Sequence, residues 1–319
     1  MNLAEKIEEL HASKYKFVIV SSGGGSNAIA SLLKVPGASN TVLEAYIPYA
    51  KESLDFYLMK KPDFYASKDT SLRMAARAYS AAKKIDQESS LSHLLGVSIT
   101  ASLSTTYEKR GDHKFHIALQ TRDFSKSISC KLEKGQRTRE EEEELVTAFV
   151  VNLLAECSEL EYDYPKIPEE VVFDEVKAEK GWAELMSNKI NYVLSEDASP
   201  ELIFPGAFYP YHDGHKAMKD LAEQETGKKI FFEICIQNVD RPPISYHQIK
   251  KTVMQFNDSE NWVLTKAGKF SEKSKMFPNS TFIIGADTLV RIMDERFYES
   301  RKEMLLSLIH ISEPTRPFH

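Results

Sequence analysis

The sequence predicts an α/β protein made of two α/β domains, and three observations carry that expectation. A Val- and Ile-rich run at residues 15–21 leads straight into Gly23-Gly24-Gly25 and a helical pattern through Leu33, which reads as strand, glycine turn, helix. Helical stretches at 67–85 and 140–157 then alternate with β-rich segments at 95–102 and 113–121, as a sheet covered by helices requires. After residue 200 the same order restarts. Leu202-Ile203-Phe204 is a short strand, 205–214 a loop with two Pro and two Gly, and 215–224 a helix, followed by strands at 229–237, 262–265 and 281–285.

Between the two α/β patterns the chain changes character. Residues 162–170 hold two prolines and several acids, and a helical stretch with Trp182 follows, so a boundary is expected there. The expected division is 1–160 for the first domain, 161–200 for an acidic linker and helix, and 201–304 for the second domain. The five consecutive glutamates, Glu140 to Glu144, precede an apolar stripe of Leu145, Phe149 and Leu153. They are expected as a solvated first turn favoured by the helix dipole rather than as a metal site.

Composition limits what the chain can be. Its 319 residues are 42% hydrophobic and 28% charged, with 13 Gly and 13 Pro, which is globular rather than disordered or collagenous. The net charge is −6, and residues 138–200 alone hold 17 acidic and 5 basic residues, so the flanks are mildly basic. Cys130, Cys157 and Cys235 lie far apart with no zinc-ligand spacing, so reduced thiols and a cytoplasmic location are expected. No apolar run reaches the roughly 20 residues of a spanning helix. Residues 305–319 resemble the conceptual translation of a sequencing adapter and are left out of the fold reading.

The strongest chemical signal is Pro205-Gly206-Ala207-Phe208-Tyr209-Pro210-Tyr211-His212-Asp213-Gly214-His215, set between a strand and a helix. A helix start offers unpaired N–H groups and a positive dipole end, which hold phosphate, and Gly214 lets the chain approach the anion closely. Two imidazoles there can donate hydrogen bonds to a phosphoryl group as charge shifts during displacement. The pattern Gly206-x-Phe208-x-Pro210-x-His212-x-Gly214-His215 resembles the signature of the class I nucleotidylyltransferases, which include the nicotinate and nicotinamide mononucleotide adenylyltransferases. Phe282-Ile283-Ile284-Gly285-Ala286-Asp287-Thr288-Leu289 is similar to a second motif of that branch. The resemblance spans about 201–298 and implies a Rossmann-like parallel sheet, ATP bound with Mg2+ over the histidine loop, and a mononucleotide acceptor. It implies that His212 and His215 contact the triphosphate, that Gly206, Ala207, Phe208 and Gly214 line the nucleotide, and that Gly285 and Asp287 lie at the substrate edge of the sheet. The chain departs from the family at Tyr209, where Asp or Asn is common, and has no counterpart before residue 305 of the later motif that carries an arginine to the phosphates.

The amino-terminal half offers two readings. Gly23-x-Gly25-x-x-Ala28 with Glu44 fits a short dinucleotide fingerprint. Ser21-Ser22-Gly23-Gly24-Gly25, then Val35-Pro36-Gly37-Ala38-Ser39, then Tyr46-x-x-x-x-Lys51, resembles the ordered motifs of the CinA carboxy-terminal family, which includes nicotinamide mononucleotide amidases. That resemblance, over about 17–121, implies Ser21 as nucleophile, Lys51 as its base and Tyr46 as a hydrogen-bonding partner, with the glycine turn holding an oxyanion or phosphate. Val20 stands where the family has an acid, and Thr100-Ala101-Ser102-Leu103 replaces a glycine-containing loop.

Three functions follow as expectations. The first is adenylyl transfer from ATP to a mononucleotide by the carboxy-terminal half. The second is amide hydrolysis by the amino-terminal half, and the third is nucleotide binding without catalysis. ATP and a mononucleotide are the expected partners, with a homo-oligomer left open and neither nucleic acid nor membrane expected.

Overall fold

The computed structural model describes residues 2–107, 109–179, 181–237 and 243–285. The chain divides into two compact units, Met1–Ala183 with Asp240–Gln248, and Glu184–Val239 with Ile249–His319. Both are α/β, as the sequence predicts.

The first unit runs α1 (Leu3–His11), β1 (Lys16–Gly23), α2 (Ser26–Lys34), β2 (Val42–Tyr46), α3 (Lys51–Leu58), α4 (Lys68–Ile85), β3 (Leu94–Ser102), β4 (His113–Gln120), β5 (Phe124–Leu132), α5 (Arg139–Cys157) and β6 (Val171–Lys177), with α6 (Trp182–Met186) following. Its six-stranded sheet has the order β2-β1-β3-β4-β5-β6. Strand β1 pairs in parallel with β2 and β3, and the remaining pairs are antiparallel. Strands β1 and β3 are buried almost end to end, which parallel strands covered on both faces require. On one face Phe17, Ile19, Val97, Ile99 and Phe115 pack with apolar residues of α1, α2 and α5. On the other, Leu72 and Ala75 of α4 meet Ala118.

The second unit continues with β7 (Tyr192–Leu194), β8 (Leu202–Pro205), α7 (Asp213–Thr226), β9 (Ile230–Cys235), α8 (Tyr246–Val253, whose first three residues belong to the first unit), β10 (Asn261–Thr265), α9 (Phe270–Met276) and β11 (Thr281–Phe282). Its sheet has the order β11-β8-β9-β10-β7, parallel throughout except for the antiparallel β7. Taken in chain order, the four parallel strands lie third, second, first, fourth across the sheet, so β8 is flanked by β9, which follows it, and by β11, which the chain reaches last from β10. In doubly wound sheets ligands bind beyond the carboxyl ends of the strands at such a reversal of order, which here are the ends of β8 and β11. In the first unit the same reversal falls between β1 and β3.

The stretch 161–200, expected as a linker, carries strands of both sheets. Strand β6 pairs with β5 at one sheet edge, and β7 pairs with β10 at the edge of the other. Prolines and acids read as a linker because edge strands tolerate charge on their open side. Here the charges are tied down: Glu175 pairs with Lys126 at 2.9 Å, and Asp174 with Lys68.

Candidate functional site

The two reversal points bring together most of the residues the sequence singles out, and they do so very differently. In the second unit, β8 ends at Pro205, the loop 206–212 follows, and α7 begins at Asp213 with His212 as its N-cap. The His212 and His215 rings stack with centroids 3.7 Å apart and planes 20° apart. The backbone N–H of His212 donates to Nδ1 of His215 at 3.3 Å. Accepting at Nδ1 leaves the ring proton of a neutral His215 on Nε2, free to donate to a bound anion. Burial first, and the neighbouring His212 second, hold the His215 imidazole below its ordinary pKa. Gly214 has a steric reason, because a Cβ there would sit 3.1 Å from two atoms of the His212 ring.

An aromatic cluster supports this pair. Phe208 is buried, and its ring meets His215 edge-on at 5.0 Å and Phe232 of β9 at 4.9 Å. Its backbone φ is +46°, a left-handed conformation uncommon outside glycine. Phe208, expected to line the nucleotide, therefore works from below as the anchor of the loop. Tyr211 stacks on His215 with planes 8° apart, and its hydroxyl donates to Glu260 at 2.6 Å. Ala207 and Tyr209 are exposed at the loop surface, and the Gly206 N–H donates to the carbonyl of Glu233 on β9. Gly285 follows β11, whose extension continues through the bond from Ile283 N–H to the Ile203 carbonyl at 2.8 Å. Asp287 lies outside the described residues.

In the first unit the glycine turn and the start of α2 are already engaged by the protein's own groups. Glu143 Oε2 accepts from the backbone N–H groups of Gly25 (2.9 Å) and Asn27 (3.3 Å) at the start of α2. Its other oxygen pairs with Arg139 at 2.8 Å. The Gly24 N–H donates to the Ala101 carbonyl, and the Leu103 side chain lies so close that a Cβ on Gly24 would sit 2.5 Å from it. Glu142 is fully buried, accepts from Ser104 N–H and pairs with His113 at 2.9 Å. Of the acids expected as a solvated helix start, these two point inward. Glu142 stands four residues before Val146 and seven before Phe149, on the buried stripe of α5.

The expected amide-hydrolysing trio is not assembled. Ser21 is fully buried, and its hydroxyl donates to the Gly24 carbonyl at 3.2 Å. The Tyr46 hydroxyl donates to Glu44, which raises its pKa, and exposed Lys51 lies 5.7 Å from the Tyr65 ring centroid. Beside the α2 start, an open groove of about 450 Å³ is lined by Ser26, Asn27, Ala30, Glu140, Glu143 and Glu144. Three carboxylates on that wall repel a phosphate. Glu44, half-buried on β2, accepts the Tyr46 hydroxyl at 2.6 Å.

No protein-family model matches the chain, and no curated protein matches it. Among solved structures, half the chain is similar to the competence/damage-inducible protein CihA from Agrobacterium tumefaciens, at 15% identity and a TM-score of 0.40, covering 49% of this chain and 94% of that one. A competence or damage-inducible protein from Enterobacter asburiae is similar at 14% identity and a TM-score of 0.39, over 49% of this chain and 96% of the other. A competence-damaged protein (CinA) superfamily protein from Escherichia coli has 12% identity and a TM-score of 0.36, over 47% and 84%. None of these similarities assigns a role to a residue of this chain.

Proposed function

We propose that the second unit binds ATP beyond the ends of β8 and β11 and transfers its adenylyl group to a nicotinamide- or nicotinate-mononucleotide-type acceptor, releasing pyrophosphate. The observation that carries this reading is the stacked His212–His215 pair, delivered by β8 to the start of α7 where the sheet order reverses. An oxygen of the acceptor phosphate attacks the α-phosphorus of ATP as the bond to the bridging oxygen of pyrophosphate breaks. Nε2–H of His215, the His212 ring and the free N–H groups of α7 donate to the phosphate oxygens as negative charge moves to the leaving group.

Mg2+ would lower the charge of the triphosphate and come with it. Among the described residues no three His, Cys, Asp or Glu gather as a ligand set. Asp213, with a fully exposed side chain beside His212, pairs with Lys216 at 3.2 Å, so a hydrated ion there would share that carboxylate with the lysine.

Production of a dinucleotide and pyrophosphate from ATP and each mononucleotide tests the proposal. His215→Ala should lower turnover by about 100-fold or more; undiminished turnover sinks it. Amide hydrolysis through Ser21 has less support, because a carbonyl and a neighbouring carboxylate already occupy the donors it needs. Ammonia release from nicotinamide mononucleotide that disappears in Ser21→Ala would reverse that ranking.

A further inference from the structure

The histidine loop is bridged by a side chain that the loop's own sequence does not announce. Gln255 lies in the turn after α8, where Phe256 stacks on Phe232 of β9 with centroids 4.7 Å apart and planes 6° apart. Its Nε2 donates to the Phe208 carbonyl at 2.9 Å, and its Oε1 accepts the Tyr211 N–H at 2.9 Å. Residues 208 and 211 are the first and last of four, the pair that a β-turn would join by one direct bond. A carboxamide inserted between them satisfies both groups at once, around Pro210, which has no N–H to offer. Both residues it grips set their rings against His215, Phe208 edge-on and Tyr211 face-on.

We infer that Gln255 is a positioning residue for adenylyl transfer: it fixes the loop conformation that orients His215, without itself touching substrate. This rests on the function proposed above. A displacement of about 1 Å at a catalytic group can cost on the order of 100-fold in rate, so a two-bond clamp on the loop is worth that much to the reaction.

The test uses the full chain with Gln255→Met, which keeps length and removes both bonds, and Gln255→Glu, which keeps the acceptor for Tyr211 but faces the Phe208 carbonyl with a carboxylate. Two readouts are taken: kcat and KM with ATP and mononucleotide, and the His215 ring titration followed by NMR. The expected result is a fall in kcat of about 10- to 100-fold in both variants, with KM changed less and the His215 titration displaced upward as its enclosure loosens. Gln255→Met with the turnover and titration of the parent overturns the inference. If His215→Ala itself leaves turnover intact, the proposed reaction fails, and the His215 titration in the Gln255 variants still decides whether the clamp orients the ring. Should Gln255→Met not fold, Gln255→Glu carries both readouts.

Discussion

His215 and His116 titrate in the same direction for related reasons, with different consequences. At His215 burial first, and the His212 ring stacked at 3.7 Å second, lower the pKa and favour the neutral imidazole. His116, on β4, donates to or accepts from Ser129 Oγ at 2.8 Å through Nδ1, while its buried Nε2 has no partner among the described residues. Burial, then Lys114 and Lys68, lowers its pKa to about 4 from 6.5. The unfolded chain therefore takes up this proton first. The stability His116 allows is complete above 6.5 and is lost as pH falls from there to about 4. Melting temperatures measured across that window should show a smaller decline in His116→Gln than in the parent. Glu169 is a carboxylate counterpart: its hydrogen bonds from Arg137 hold its pKa at about 2, below the ordinary 4.5. Its stabilisation is present above 4.5 and fades as pH falls toward 2, so Arg137→Met should flatten the acid limb of the stability curve. The histidine pair was legible because its residue types and spacing imply an anion at a helix start. Gln255 and Glu260 were not, because each reaches the loop from more than 40 residues away with no motif of its own.

At the scale of elements, two contacts decide how helices sit on their sheets. Fully buried Glu233 on β9 accepts from Thr265 of β10 and pairs with Lys273 of α9, whose side chain is 9% exposed. Removing one member leaves an unpaired buried charge, so Lys273→Met should cost about 3–5 kcal/mol in denaturant unfolding, and a double variant with Glu233→Leu should recover much of it. The second contact is the Glu143 cap on α2, made from a different helix. Glu143→Ala should destabilise the first unit by about 1 kcal/mol, the scale of a lost cap, and expose the N–H groups of Gly25 and Asn27 to solvent. Hydrogen exchange at those two amides checks the point. The sequence identified β1, β3, β4, β8, α4, α5 and α7 within a few residues because their apolar periods are clear. It did not mark β5, where buried Ser125 and Ser127 and half-buried Ser129 alternate with Ile128, Cys130 and Leu132. Serines in such a strand look like loop until their partners, His247 of α8 for Ser125 and His116 of β4 for Ser129, are known.

At the scale of the molecule, neither unit is a single stretch of chain. Residues Asp240–Gln248 belong with the first unit although β7, β8, α7 and β9 of the second precede them. Tyr246 is fully buried there, stacks on Trp182 and donates to the Arg122 carbonyl. Tyr246→Ala in the full chain should therefore destabilise the first unit by about 3–5 kcal/mol, read as an earlier unfolding transition. The sequence divides the chain at the prolines and acids of 162–170 and at the restart of a strand–loop–helix order after residue 200, and neither signal reveals a return crossing. That return has a consequence during synthesis. A ribosome delivers the plug that seats on Trp182 only after four elements of the neighbouring unit have emerged, so the earlier-made unit, its six strands already present, waits for a packing piece encoded downstream. A single protease cut near residue 184 would not yield two finished halves; it would strand that plug on the wrong fragment.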